Sequence, residues 1–134
     1  MKPEVFRFQT GDLSKTDLEL MLDTIPVDIT LLDKDDKVAY FNKLKTRIFK
    51  RSPEVIGKDV KNCHPKKSIG KVQEILDDFR AKKRDMAEFW IDLDGMLVYI
   101  RYFPLYEDGK YAGCLEVSTD ITGIKKLEGE KRLL

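Results

Sequence analysis

The chain has 134 residues, 42% hydrophobic and 37% charged, enough for one domain with a genuine core and too few for two. Its 25 Lys and Arg balance 24 Asp and Glu, so no overall field draws it to nucleic acid or to an anionic membrane surface. No apolar run of signal-peptide or membrane-span length occurs, and Cys63 and Cys114 make no disulfide framework; a soluble protein in a reduced cytoplasm is expected.

The first element, Val5-Phe6-Arg7-Phe8, alternates and reads as a short strand or as an arm on a partner. Ser14 with Asp17 forms an Asp variant of the capping box. Leu18, Met21, Leu22 and Ile25 then recur at helical spacing until Pro26 stops the helix, whose apolar face packs on its own domain or on a second copy. From Val27 the period changes. Val27 to Leu32 and Val38 to Asn42 read as strands of a hairpin around the polar turn Asp33-Lys34-Asp35-Asp36. That turn lacks the glycine and the distant glutamate of a calcium loop.

Leu44, Ile48 and Phe49 suggest a short helix broken at Arg51-Ser52-Pro53, and Glu54 to Gly57 a turn. Ile69, Val72, Ile75, Leu76 and Phe79 trace the apolar face of a longer helix that ends in Ala81-Lys82-Lys83-Arg84-Asp85, with its cations near the negative end of the dipole. Three strands follow, Met86 to Leu93, Leu97 to Leu105 and Tyr111 to Thr119, joined at Asp94-Gly95 and at Glu107-Asp108-Gly109. Ile124, Leu127 and Leu134 mark a charged, partly amphipathic helix leaving the domain.

Asn62-Cys63-His64-Pro65 holds the single histidine and precedes the longer helix, with Pro65 suited to its first position. The positive end of the helix dipole favours a neutral His64 imidazole and a Cys63 thiolate. Metal ligation or nucleophilic chemistry is one reading. However, one Cys and one His fall short of a zinc site, and no second histidine serves as a base. The other reading is structural: Asn62 and His64 satisfy backbone groups at the helix start while Cys63 packs inward. Arg101 and Glu116, both mid-strand, either pair across adjacent strands or line a pocket.

Helix, hairpin, short helices, longer helix and meander, with Ile25 to Thr30, Val55-Ile56-Gly57-Lys58, Asp94-Gly95 and the closing Asp120-Ile121-Thr122, resemble a PAS domain. More narrowly, Asn62-Cys63-His64-Pro65, Phe89-Trp90-Ile91, Tyr99 to Phe103 and Lys126 to Leu134 resemble the PAS module of bacterial and archaeal DUF438 proteins. In that group the module commonly follows a hemerythrin-like helical domain, so the chain is expected to be an excised module or a stand-alone relative.

The resemblance implies an α+β fold: a five-stranded antiparallel sheet with helices packed on one face, plus flanking N- and C-terminal helices. It divides the chain into an arm and helix start at 1–17, a PAS domain at 18–122 and a C-terminal signalling helix at 123–134. It implies a sensory module, not an enzyme, that binds a small molecule between sheet and helices and signals by dimer or partner rearrangement; the alternative is a ligand-free dimerisation module. Ligand-contacting candidates are Asn62, Cys63, His64, Trp90, Arg101 and Tyr102, with His64 as the candidate haem-iron ligand. The long-helix body, where haem-binding PAS domains usually place their histidine, has none here. The cysteine surroundings do not match the flavin photosensor pattern either. The cofactor is left open. A homodimer is expected, without nucleic acid or membrane partners.

Overall fold

The computed structural model describes residues 4–134; the placement of 1–3 and of the Cys63 side chain lies outside the described residues. Two short strands come first, β1 (Val5–Phe8) and β2 (Gly11–Ser14), paired as an antiparallel hairpin. The expected arm is therefore a strand, and its partner β2 was not legible beforehand. Helix α1 (Lys15–Thr24) opens on the capping interaction, with the Asp17 amide donating to Ser14 Oγ at 3.0 Å. It ends before Pro26, which cannot continue a helix. None of its side chains is fully buried, and Met21 and Ile25 are exposed.

The main sheet takes β3 (Asp28–Asp33), β4 (Val38–Phe41), β5 (Ala87–Leu93), β6 (Met96–Glu107) and β7 (Lys110–Asp120) in the spatial order β4-β3-β7-β6-β5, all antiparallel. The last two hairpins turn on Asp94-Gly95 and Asp108-Gly109, every one of these residues at positive φ, the backbone that matches the twist of the flanking strands. Where β3 and β7 cross, Gly113 lets the backbones meet: a Cβ there would lie 2.2 Å from the Leu32 carbonyl oxygen. Asp120-Ile121-Thr122 locks the sheet end. The Thr122 hydroxyl donates to Asp120 Oδ1 at 2.6 Å and accepts from the Leu97 amide at 2.9 Å.

Helix α2 (Lys66–Arg80) buries Val72, Leu76 and Phe79 against one sheet face, where Leu32, Val98, Ile100, Tyr102 and Cys114 complete the core. Its C-terminal end is clamped. Arg80 donates to the Lys34 carbonyl at 2.7 Å and to Asp36 Oδ1 at 2.5 Å, over the Tyr111 ring, while Tyr106 donates to the Phe79 carbonyl. The acidic turn is thus an anchor for α2, and its Asp36 carboxylate is taken by the Arg80 guanidinium rather than by a metal ion.

Two expected helices do not form. Residues 44–49 are turns and bends, because the backbone amides of Ile48 and Phe49 bind the Asp28 carboxylate instead of helical carbonyls. The C-terminal segment makes only a 3₁₀ turn, Ile124–Lys126. Gly129 then takes φ +62, and Leu127, Leu133 and Leu134 are exposed, so no packing stabilises a segment too short to hold a helix alone. Among the described residues no helix is long and apolar enough to cross a membrane.

Candidate functional site

The residues of one sheet face alternate with those of the other, so strand parity decides which side chains look toward α2. On β3 these are Asp28, Thr30 and Leu32; on β7, Cys114, Glu116 and Ser118; on β6, Val98, Ile100 and Tyr102. Between this face, the N-terminal half of α2 and the 47–51 segment lies a cavity of about 920 Å³. Its apolar wall comes from Ile48, Phe49, Val72, Ile75, Phe89 and Ile100. Its polar wall is Asp28, Thr30, Arg47, Arg51, His64, Glu116 and Ser118, with Lys50, Lys71, Glu74 and Arg84 also contributing.

A buried network holds the 47–51 wall in place. Asp28 accepts from the amides of Ile48 at 3.0 Å and Phe49 at 2.8 Å, and pairs with Arg47 at 3.4 Å. Arg47 also donates to the carbonyls of Asn42, Ile29 and Phe49 and, at 2.9 Å, to Thr30 Oγ1. Burial lowers the Arg47 pKa and the Asp28 charge opposes that, which is why a buried guanidinium needs this partner. Asn42, fully buried, accepts from the Ile29 amide at 2.7 Å and donates to the carbonyls of Leu22 and Val27, joining the end of α1 to the sheet. Each polar group of this network has a partner, as buried groups require.

The second polar group is not satisfied. Glu116, with 6% of its side chain exposed, lies 3.8 Å from Arg51 Nη2 and 3.9 Å from His64 Nε2, beyond hydrogen-bond reach of both. Arg51 is steadied by donating to Thr30 Oγ1 at 3.2 Å. Glu116 Oε1 and His64 Nε2 are buried with no protein partner. Next to them on β6, the Tyr102 hydroxyl has its pKa raised well above the ordinary phenol value, first by burial and then by the Glu116 charge. It stays a neutral donor and acceptor. Cys114 is buried, and its thiol pKa is raised for the same two reasons, in the same order; it is not a reactive thiolate.

Of the six expected ligand contacts, the fold brings His64 and Tyr102 to the cavity. Asn62 is exposed and borders a separate shallow groove with Lys50, Arg51, Ser52 and Val55. Neither Asn62 nor His64 caps α2. The preceding 3₁₀ turn, Val60–Cys63, is capped by Asp59, and Pro65 stands at the N-cap of α2 rather than as its first residue. Trp90 and Arg101 lie on the opposite sheet face, Trp90 63% exposed and Arg101 between the rings of Tyr99 and Phe103. The register opposes Arg101 to Val117 and Tyr102 to Glu116, so Arg101 and Glu116 point to different faces and do not pair.

The donor set does not suit haem. The His64 nitrogen that an iron would take faces a buried carboxylate 3.9 Å away, ground that a macrocycle about 2 Å beyond the nitrogen would have to occupy. Among the described residues no group of three or more His, Cys, Asp or Glu could hold a metal ion.

The contributors missed beforehand are Asp28, Thr30, Arg47 and Arg51. Parity was their signal, since Asp28 and Thr30 share a strand face with the core residue Leu32. Arg47 and Arg51 sit in irregular backbone and carried no pattern.

Comparison with known proteins places this architecture. The family model described as PAS domain matches residues 18–122. The crystal structure of a C-terminal domain from Streptococcus mutans is 30% identical over 96% of this chain and 100% of that chain, with a TM-score of 0.85. The PAS domain of Bordetella pertussis BvgS is 22% identical over 78% and 84%, TM-score 0.61. A sensory box sensor histidine kinase structure from Vibrio cholerae is 16% identical over 78% and 89%, TM-score 0.57. These last two are likenesses of fold. No curated protein matches the chain. The family match takes in every strand of the five-stranded sheet, and the chain therefore belongs to the PAS domain family.

Proposed function

We propose that this domain is a sensory module that takes a small molecule into the cavity between α2 and the sheet and passes the change to a partner surface. One observation carries the reading. A cavity of about 920 Å³, within the size range of small-molecule sites, is apolar along one wall and ends in buried polar atoms with no protein partner. A purely structural core leaves few such groups, because each costs about 1–3 kcal/mol unsatisfied. In this reading the domain senses rather than catalyses, since its buried polar atoms are satisfied by a bound molecule.

The signalling surface is the opposite sheet face, where Trp90, Tyr99, Arg101 and Phe103 stand with Leu115 and Val117. Homodimerisation through it, or through the exposed apolar side of α1, is the output. A cytoplasmic location rests on two cysteines that make no disulfide framework, and the narrower likeness to DUF438 modules on Asn62 to Pro65, Phe89 to Ile91, Tyr99 to Phe103 and Lys126 to Leu134. Native mass spectrometry of the purified protein, with and without gentle denaturation, is the test. A retained mass of a few hundred daltons, lost with Glu116→Ala, is expected. A protein that retains no mass and shows no amide shifts with any member of a small-molecule library is an interaction module instead.

A further inference from the structure

The polar end of the cavity is already balanced in charge. Asp28 pairs with Arg47, and Glu116 with Arg51, all four side chains at or below 14% exposure. A ligand carboxylate there would face Asp28 and Glu116, with Arg47 fully hydrogen-bonded and the Arg51 charge already offset by Glu116 at 3.8 Å. A ligand ammonium would add a cation to Arg47, Arg51 and the His64 ring. Desolvating a net charge in such a place is the costlier choice. Farther along the wall, Lys71 lies 3.7 Å from Glu74, Arg84 pairs at 2.5 Å with Asp78 near the C-terminal end of α2, and the remaining cation, Lys50, is exposed to water and so needs no ligand charge.

What is left open is hydrogen bonding. Glu116 Oε1 and His64 Nε2 are 3.9 Å apart, both buried and both without a protein partner. One oxygen about 2.8 Å from each would satisfy both. A hydroxyl suits that place, since its one proton is donated to the carboxylate while its oxygen accepts from the Nε2–H tautomer of the imidazole. Resting on the reading of the cavity as a ligand site, we infer that its ligand is an uncharged molecule with an apolar, ring-sized body and a hydroxyl held between Glu116 and His64. Phe89, Ile75 and Ile100 receive the body.

The test titrates the full chain at pH 7 with four probes of one size: 2-naphthol, 2-naphthoate, 2-naphthylmethylammonium and 2-methylnaphthalene, followed by amide chemical shifts. Naphthol is expected to bind about tenfold or more tighter than each of the others. Glu116→Ala leaves Arg51 without its counter-charge, so the preference should invert toward naphthoate. His64→Phe should lose the naphthol preference without gaining naphthoate, and amide spectra report whether each variant is folded. Equal or tighter binding of naphthoate or of the ammonium by the unaltered protein overturns the hydroxyl inference and leaves the cavity reading standing. So does binding of methylnaphthalene as tight as that of naphthol. If none of the four binds, the hydroxyl inference falls, and the cavity reading is decided by the mass measurement and the small-molecule library.

Discussion

Replacing Arg47 with Met keeps the length of the side chain and removes its charge from a site where only 7% of it is exposed. The loss falls on Asp28, 5% exposed, which would keep its two backbone donors from Ile48 and Phe49 but lose its counter-charge. Breaking a buried pair by removing one partner costs about 3–5 kcal/mol, most of it the stranded charge. The carbonyls of Ile29, Asn42 and Phe49 lose a donor as well. Against a total stability of about 5–15 kcal/mol this is a large fraction, and at about 4 °C per kcal/mol the melting temperature should fall by about 12–20 °C. Urea unfolding followed by circular dichroism measures it. A second variant, Asp28→Asn with Arg47→Met, removes both charges. It should recover at least about 1 kcal/mol relative to the sum of the single changes, since neither charge is stranded. A loss below about 1 kcal/mol for Arg47→Met, or strict additivity, would refute the reasoning that this pair holds the cavity wall.

Three further outcomes are expected. Gly113→Ala places a methyl 2.2 Å from the Leu32 carbonyl oxygen at φ +153, and should destabilise by about 2–4 kcal/mol in the same urea assay; a neutral change would show that β3 and β7 separate easily. Phe79→Ala empties a fully buried site under α2 and should cost about 3–5 kcal/mol, read as a drop in the urea midpoint with an unchanged slope. Alkaline stability follows from Cys114, Tyr102 and Tyr111, whose pKa values are all raised, in each case first by burial. The folded protein holds these protons more tightly, so stability is full below the ordinary thiol value of 9.0 and falls as the unfolded chain ionises above it. The fall should steepen past the ordinary phenol value of 10.0, and Tyr102→Phe should shallow it; stability that rises above pH 9 would contradict the burial of these groups.

Much of the architecture could be read along the chain because it rests on local rules. Runs rich in β-branched and aromatic residues marked β3 and the last three strands, Asp94-Gly95 fixed a hairpin, and the spacing of Val72, Leu76 and Phe79 marked the buried side of α2. The predicted helix at 44–49 shows where such rules stop. Its amides are captured by Asp28, about twenty residues earlier, and no local pattern carries that competition. The C-terminal helix failed for the complementary reason: its apolar spacing was present, but nothing packs on it.

The candidate site divides in the same way. Periodicity and residue type marked two amphipathic helices and the strands, the resemblance to PAS domains implied their α+β arrangement, and His64 and Glu116 stood out as the single histidine and a mid-strand carboxylate. Only the tertiary structure decided what those two do. A one-residue step in strand register separates Glu116 from Arg101 and puts it on the cavity face, opposite Tyr102. The entry to α2 then brings the His64 ring to within 3.9 Å of it, and the 47–51 segment brings Arg51. Strand alternation along the chain sets which side chains share a face; which faces meet, and at what distance, depends on how distant segments pack, and at this site the packing leaves two buried polar atoms 3.9 Å apart without protein partners.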